Sequence, residues 1–164
     1  MRAHNFSAGP AVLPLPVITK LQNVLPEYAN TQIGLMEMSH RSSDFQEIHD
    51  SAKQKLRTLL KIPTDYHILF LQGGASLQFY MLPLNILEPS DSAAYINTGT
   101  WSTKAIKEAK RCSQAFSCWE PQNGIFNDIP TTNIDAKQAK YLHYTSNNTI
   151  YGTQFHHIAP LILC

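Results

Sequence analysis

Four short stretches of this sequence hold residue types that could do chemistry. In FLQGGASLQF an apolar run feeds Gly73-Gly74 and then two very small residues, Ala75 and Ser76. A strand that enters a helix through two glycines presents free backbone N–H groups at the positive end of that helix, where a phosphate can approach closely. A plain β-to-α turn would use the same residues, so this stretch alone leaves both readings open. It is not a Walker loop, because the GK[ST] ending is absent, and it is not a GxGxxG fingerprint.

In NTGTW, Gly99 is followed by Thr100 and Trp101, which puts an indole at the rim where a helix begins. That indole is either a packing residue or a stacking surface for a planar aromatic cofactor, since offset stacking adds roughly 0.5–1.5 kcal/mol beyond area burial. In TSNNT, Ser146, Asn147, Asn148 and Thr149 form either a solvated turn or a set of hydrogen-bonding groups for a ring hydroxyl or a substrate. In MSHRS, His40 and Arg41 stand in a connection between two helical stretches. Arginine is suited to forked recognition of a carboxylate or phosphate, although a surface loop could carry the same pair.

The elements that must position these groups follow from hydrophobic periodicity. Pro16 opens a helix over VITKLQNVL, with Val17, Leu21, Val24 and Leu25 on one face, and Pro26 closes it. QIGLMEMSHRS reads as an extended connection. Ser43-Asp44 looks like an N-cap region for a second helix bearing Phe45, Ile48, Ala52, Leu56 and Leu59 at helical spacing, which stops before Pro63. From residue 66 onward strands and helices alternate: YHILFL, SAAYINT, SQAFSCW and YLHYTS as strands, ASLQFYMLPLNIL and TWSTKAIKEAKR as helices. Thr100 or Ser102 is expected near the cap of the last of these helices. The alternation predicts an α/β protein with a mainly parallel sheet and flanking helices. In such sheets ligands bind at the carboxyl ends of the strands, where QGGAS, NTGTW and TSNNT all fall.

Composition narrows the function class. The chain has 164 residues, 43% hydrophobic and 15% charged, with a net charge of +1. That balance offers no electrostatic footprint for nucleic acid or an anionic membrane. No stretch approaches the roughly 18 apolar residues of a membrane span, and no signal peptide is visible. Cys112, Cys118 and Cys164 match no zinc ribbon or redox pair. Free thiols in a reducing cytoplasm are preferred over a metal site built from them with His156-His157. The closing run APLILC reads as a buried strand, which leads us to expect that the polypeptide continues elsewhere or has been cut.

Taken together, NFSAGPAVLP, MEMSHRS, FLQGGASLQF, NTGTWSTKAIKEAK and HYTSNNTIYGT resemble the phosphoserine aminotransferase family in order and spacing, from Asn5 to the last residue. The resemblance implies the aspartate-aminotransferase-like fold of class-V pyridoxal-phosphate enzymes. It implies amino transfer between glutamate and 3-phosphohydroxypyruvate, giving 2-oxoglutarate and O-phosphoserine, for serine and in many bacteria also pyridoxine synthesis. By resemblance, Ala75 and Ser76 hold the phosphate of pyridoxal 5'-phosphate, Trp101 stacks on its ring, and Thr149 bonds near the ring hydroxyl. Arg41, with His40 beside it, matches the substrate-anion site. The family forms homodimers with active sites at the subunit boundary, in the cytoplasm, with small-molecule substrates and neither nucleic acid nor membrane as partner.

Two departures stand out. Some members carry an arginine where this chain has Ser76 and a serine where it has Ala8; the ASLQF form belongs to another branch of the family. The family's Schiff-base lysine and the aspartate that pairs with the pyridinium nitrogen are expected beyond Cys164, and Lys104, Lys107 and Lys137 occupy no such motif. The expected organisation is therefore a substrate-side arm over residues 1–15 and an incomplete cofactor-binding large domain over 16–164, inactive in isolation. The alternative is a non-catalytic α/β fragment that folds or dimerises without a specific ligand.

Overall fold

The computed structural model describes residues 2–131 and 134–156, and the backbone of 161–162. The chain divides into two compact units, Met1–Leu69 and Phe70–Cys164.

In the first unit, helix α1 spans Leu15–Val24, with proline in its first turn as expected. Pro16 suits that turn because its missing N–H would have no intrahelical acceptor there. Helix α2 spans Ser43–Leu60. Its cap is Ser42, one residue before the expected pair: the Ser42 hydroxyl accepts the Phe45 N–H at 3.2 Å. Lys61 closes the helix in the left-handed conformation, φ 51°. Arg57 secures the exit by donating to the carbonyls of Ile62 at 3.2 Å and Tyr66 at 2.7 Å, and to that of Pro63. The apolar faces of α1 and α2 line a cavity of about 390 Å³ that includes Val17, Leu21, Val24, Ile48 and Ala52. The connection expected to be extended contains one turn of 3-10 helix, Leu35–Glu37, held by the Glu37 carboxylate accepting the Gly34 N–H at 3.1 Å.

In the second unit, helix α3 (Gly74–Ile86) leads into strand β1 (Ser92–Ile96), then helix α4 (Thr100–Ala109) and strand β2 (Gln114–Trp119). Strands β3 (Ile134–Asp135), β4 (Leu142–Tyr144), β5 (Asn147–Asn148), β6 (Thr153–Gln154) and β7 (Leu161–Ile162) follow. The main sheet runs β2-β1-β4, with both pairings parallel, so the expected α/β class and parallel sheet are present. β3 and β7 pair in parallel, and β5 and β6 form an antiparallel ribbon. β1 is the central strand and is buried on both faces, as a parallel strand covered by helices must be. One core cluster joins Leu87, Ala93, Tyr95, Ala105, Ile106, Ala109 and Ala115; the other joins Ile96 and Ile134. The Tyr95 and Tyr141 hydroxyls meet at 2.5 Å, so the buried phenol is satisfied, and burial pushes its pKa upward.

One expected strand is absent. YHILFL runs as irregular backbone through 67–71, and Leu69 is 70% exposed. An apolar run becomes a strand only where a neighbouring strand offers a ladder, and the described sheet is completed by β2, β1 and β4. Cys112 and Cys118 are free thiols; burial raises the pKa of Cys118, which makes it a poor nucleophile. Cys164, His157 and most of the closing apolar run lie outside the described residues.

Candidate functional site

The carboxyl ends of β1 and β4 carry the polar turns. β1 ends in Ile96, and the chain passes through Asn97, Thr98 and Gly99, all buried, into α4. Gly99 has no side chain with which to cap the helix. Ser102, wholly buried, reaches back instead, its hydroxyl accepting the N–H of Thr98 at 2.9 Å and of Gly99 at 3.0 Å. Its own proton has two acceptors within reach, Asn97 Oδ1 at 2.9 Å and the Gly99 carbonyl at 3.0 Å. Thr103 Oγ1 lies 2.9 Å from the same two oxygens. Ser102, in the first turn of α4, is one of the two residues expected near the cap; the cap position itself is Gly99, and Ser102 makes the turn rigid by satisfying buried donors.

At the head of α4, Trp101 is gripped from the second polar turn. Its backbone N–H donates to Asn148 Oδ1 at 3.0 Å and its indole Nε1–H to Thr149 Oγ1 at 3.0 Å. Asn148 Nδ2 donates to Thr98 Oγ1 at 2.8 Å, and Thr153 Oγ1 to the Thr98 carbonyl at 2.7 Å. The Lys104 ammonium lies 4.7 Å from the indole ring centre, over one face. Thr149 Oγ1 has accepted the indole proton and still owns a proton to give. The two residues singled out in NTGTW and TSNNT, Trp101 and Thr149, are therefore direct partners although 48 positions apart. Asn148 is different from either expectation for TSNNT: it is fully buried and bonded at both ends to the protein.

The head of α3 is a second feature. Gly73 stands at φ +91° and Gly74 at φ +60°, and no side chain caps the helix. A side chain at Gly73 would collide with Leu77, at 2.5 Å from its Cδ2 and 2.7 Å from its Cβ, whereas the space beside Gly74 is open. The first-turn N–H groups, including those of Ala75 and Ser76, therefore stand uncovered by any capping side chain, a donor set suited to an anion. Gly73 and Ser76 line an open cavity of about 700 Å³ with Gln72, Leu77, Tyr80, Glu108 and Arg111. Arg111 pairs with Glu108 at 3.0 Å, so the two charged residues of that lining form a neutral pair. Trp101 and Thr149 are not among its lining residues.

His40 and Arg41 belong to the first unit and are exposed. Ser39 shapes their turn: its hydroxyl accepts the Arg41 N–H at 3.2 Å and its carbonyl the Ser42 N–H at 3.0 Å.

His143, which lies outside TSNNT and the other three short stretches, occupies β4 between Tyr95, at 4.9 Å between ring centres, and Phe79, edge-on at 6.4 Å. Among the described residues its Nδ1 is buried without a hydrogen-bond partner, as is Thr145 Oγ1. Burial holds the His143 imidazole below its ordinary value of 6.5. The unfolded chain therefore takes up a proton before the folded one does. Stability supplied by neutral His143 is complete above about 6.5 and lost as pH falls through the lower folded value. We expect the melting temperature to drop on acidification below 6.5, and the drop to be smaller in His143→Phe. Equal slopes for parent and variant would assign the acid loss to other groups.

The class-V aminotransferase family model matches residues 3–163. The chain is 48% identical to the phosphoserine aminotransferase of Halalkalibacterium halodurans, over 99% of this chain and 47% of that protein. It is 47% identical to a phosphoserine aminotransferase of Bacillus cereus, over 94% of this chain and 43% of that protein. Among solved structures, phosphoserine aminotransferase from Bacillus circulans subsp. alkalophilus superposes with TM-score 0.85 at 42% identity, over 95% of this chain and 44% of that one. PLP-bound phosphoserine aminotransferase from Trichomonas vaginalis superposes with TM-score 0.82 at 36% identity, over 98% of this chain and 47% of that one. The chain thus spans less than half the length of these relatives, between 43% and 47%. With a family match over nearly its whole length and the parallel α/β fold those structures share, the chain belongs to the class-V aminotransferases.

Proposed function

We propose that these 164 residues carry the cofactor-holding portion of a phosphoserine aminotransferase. The observation that carries this reading is the Trp101–Thr149 hydrogen bond at the carboxyl end of a parallel sheet. The bond fixes the edge of an indole over which Lys104 lies. Pyridoxal 5'-phosphate, when bound, supplies an electron sink for the substrate's α-carbon. The protein's task is to anchor and orient it. Trp101 would set the plane of the ring. Thr149, with its hydroxyl proton still to give, would donate to the ring oxygen. The uncapped N–H groups at Ala75 and Ser76 would hold the phosphate, their donor character suiting an anion.

Arg41, with His40 beside it, would take a carboxylate or phosphate of the substrate, and residues 1–15 would form the arm on that side. The parent enzyme would move the amino group of glutamate to 3-phosphohydroxypyruvate, yielding O-phosphoserine and 2-oxoglutarate. The same chemistry on a related phosphohydroxy keto acid would serve pyridoxine synthesis. A cytoplasmic homodimer fits this role; among the described residues no helix is long and apolar enough to cross a membrane.

The test uses the chain itself. Titration with pyridoxal phosphate should quench tryptophan fluorescence in a saturable way, and glutamate with the phospho keto acid should give no O-phosphoserine. The full-length protein should make it. Absence of saturable quenching would overturn the cofactor role of this portion, and turnover by the isolated chain would overturn its assignment as an incomplete catalyst.

A further inference from the structure

We propose that Asn148 is the positioning residue of the Trp101–Thr149 pair, an inference that rests on the cofactor reading above for its purpose but not for its geometry. Asn148 is wholly buried, and its amide spans two elements. The Trp101 backbone N–H can only donate, so the amide oxygen must face it, as it does at 3.0 Å. That orientation turns Nδ2 toward Thr98 Oγ1, the acceptor found at 2.8 Å. The assignment of oxygen and nitrogen is thus dictated by the partners.

The next residue, Thr149, takes the indole N–H. Two consecutive residues therefore hold one tryptophan at two points, the backbone and the far edge of the ring. One contact would leave the ring free to swing. Two contacts fix its plane. The Thr149 contact is exposed, where a lone hydrogen bond competes with water and contributes only about 0.5–1.5 kcal/mol. The Asn148 contact is sheltered and leaves its partners unsatisfied if removed, so it is the stronger of the two constraints.

Gly99 supplies independent support. Its φ of 161° is extended backbone that any residue adopts. Space is what excludes a side chain there: a Cβ would lie 2.7 Å from Asn148 Cγ, 2.7 Å from Oδ1 and 2.9 Å from Cβ. The β1–α4 turn is shaped to receive this amide. A change at Gly99 that removes no hydrogen-bonding group should therefore reproduce the loss of Asn148.

The experiment uses the apo chain labelled with 15N-indole tryptophan. Its two indole N–H resonances are assigned with Trp119→Phe. In Asn148→Ala and in Gly99→Ala, the Trp101 indole N–H should lose its hydrogen-bonded shift and its protection from exchange. The Trp119 signal should stay in place. Asn148→Asp, which keeps an acceptor for the Trp101 N–H, should restore the parent signal more fully than Asn148→Ala. Pyridoxal phosphate should bind Asn148→Ala and Gly99→Ala about tenfold more weakly than the parent, about 1.4 kcal/mol.

An unchanged Trp101 indole signal in Asn148→Ala would overturn the proposal. So would loss of the folded far-UV spectrum in every variant, which would make Asn148 a stability residue only. If the parent chain binds no pyridoxal phosphate, the cofactor reading fails, and the indole signals still decide whether Asn148 positions Trp101.

Discussion

Gly73→Val is expected to leave the β2-β1-β4 core folded and to weaken pyridoxal phosphate binding by about tenfold or more, a loss of about 1.4 kcal/mol or greater. Two effects act together. Gly73 sits at φ +91°, a conformation that is a genuine outlier for a β-branched residue. The new side chain would also strike Leu77, whose Cβ lies 2.7 Å from the position of the first added atom. A Cβ belongs to the backbone frame and cannot swing aside, so the first turn of α3 has to move. The N–H groups of Ala75 and Ser76 would turn with it, and the anion cradle would lose its shape. Far-UV circular dichroism checks the fold, and quenching titration with pyridoxal phosphate checks the site. Binding equal to that of the parent chain would remove the head of α3 as the phosphate cup.

Ile96→Ala should lower the unfolding free energy by about 2–5 kcal/mol, the range for deleting a buried aliphatic side chain. Ile96 is 0% exposed in the central strand and forms a core cluster with Ile134, against which Trp119, Leu142, Tyr144 and Phe155 pack. Its neighbours come from other strands and from the end of the ribbon, so collapse around the vacancy would strain several elements at once. The next residue, Asn97, donates its N–H to the Trp119 carbonyl at 2.8 Å and opens the turn that leads to Trp101. Loss of Ile96 should therefore loosen that turn as well as the core. Urea unfolding followed by tryptophan fluorescence should show a lower midpoint with an unchanged slope. Leu59→Ala, at a position 78% exposed on α2, is the contrast and should change stability by less than about 0.5 kcal/mol. A loss below about 1 kcal/mol for Ile96→Ala would contradict its role as a core residue.

Much of the architecture follows from local signals. Proline at the head of α1, the serine cap of α2 and the helical spacing of its apolar residues act over four or five positions, and each element forms where those signals lie. The order SAAYINT, TWSTKAIKEAKR, SQAFSCW dictates a parallel β1–β2 pair because the helix returns the chain to the same end, whereas irregular backbone and the short β3 carry the chain from SQAFSCW to YLHYTS. The polar turns NTGTW and TSNNT stand at strand ends.

Pairings between distant residues came only from the tertiary structure. YHILFL has the composition of a strand, yet a ladder needs a second chain segment beside it, and composition carries no information about that neighbour. His143 reads as an ordinary strand residue until Tyr95 and Phe79 bury it. TSNNT showed that Asn148 and Thr149 were polar, but not that one amide would be enclosed while the adjacent hydroxyl remained accessible. That difference depends on Gly99 and Thr98, some 50 positions earlier in the chain. The chemical vocabulary of the site, an indole, a hydroxyl and uncapped amides after two glycines, was legible in residue types. Their grouping was not, because hydrogen bonds across 47 and 48 positions are set by the packing of β1, α4 and β5.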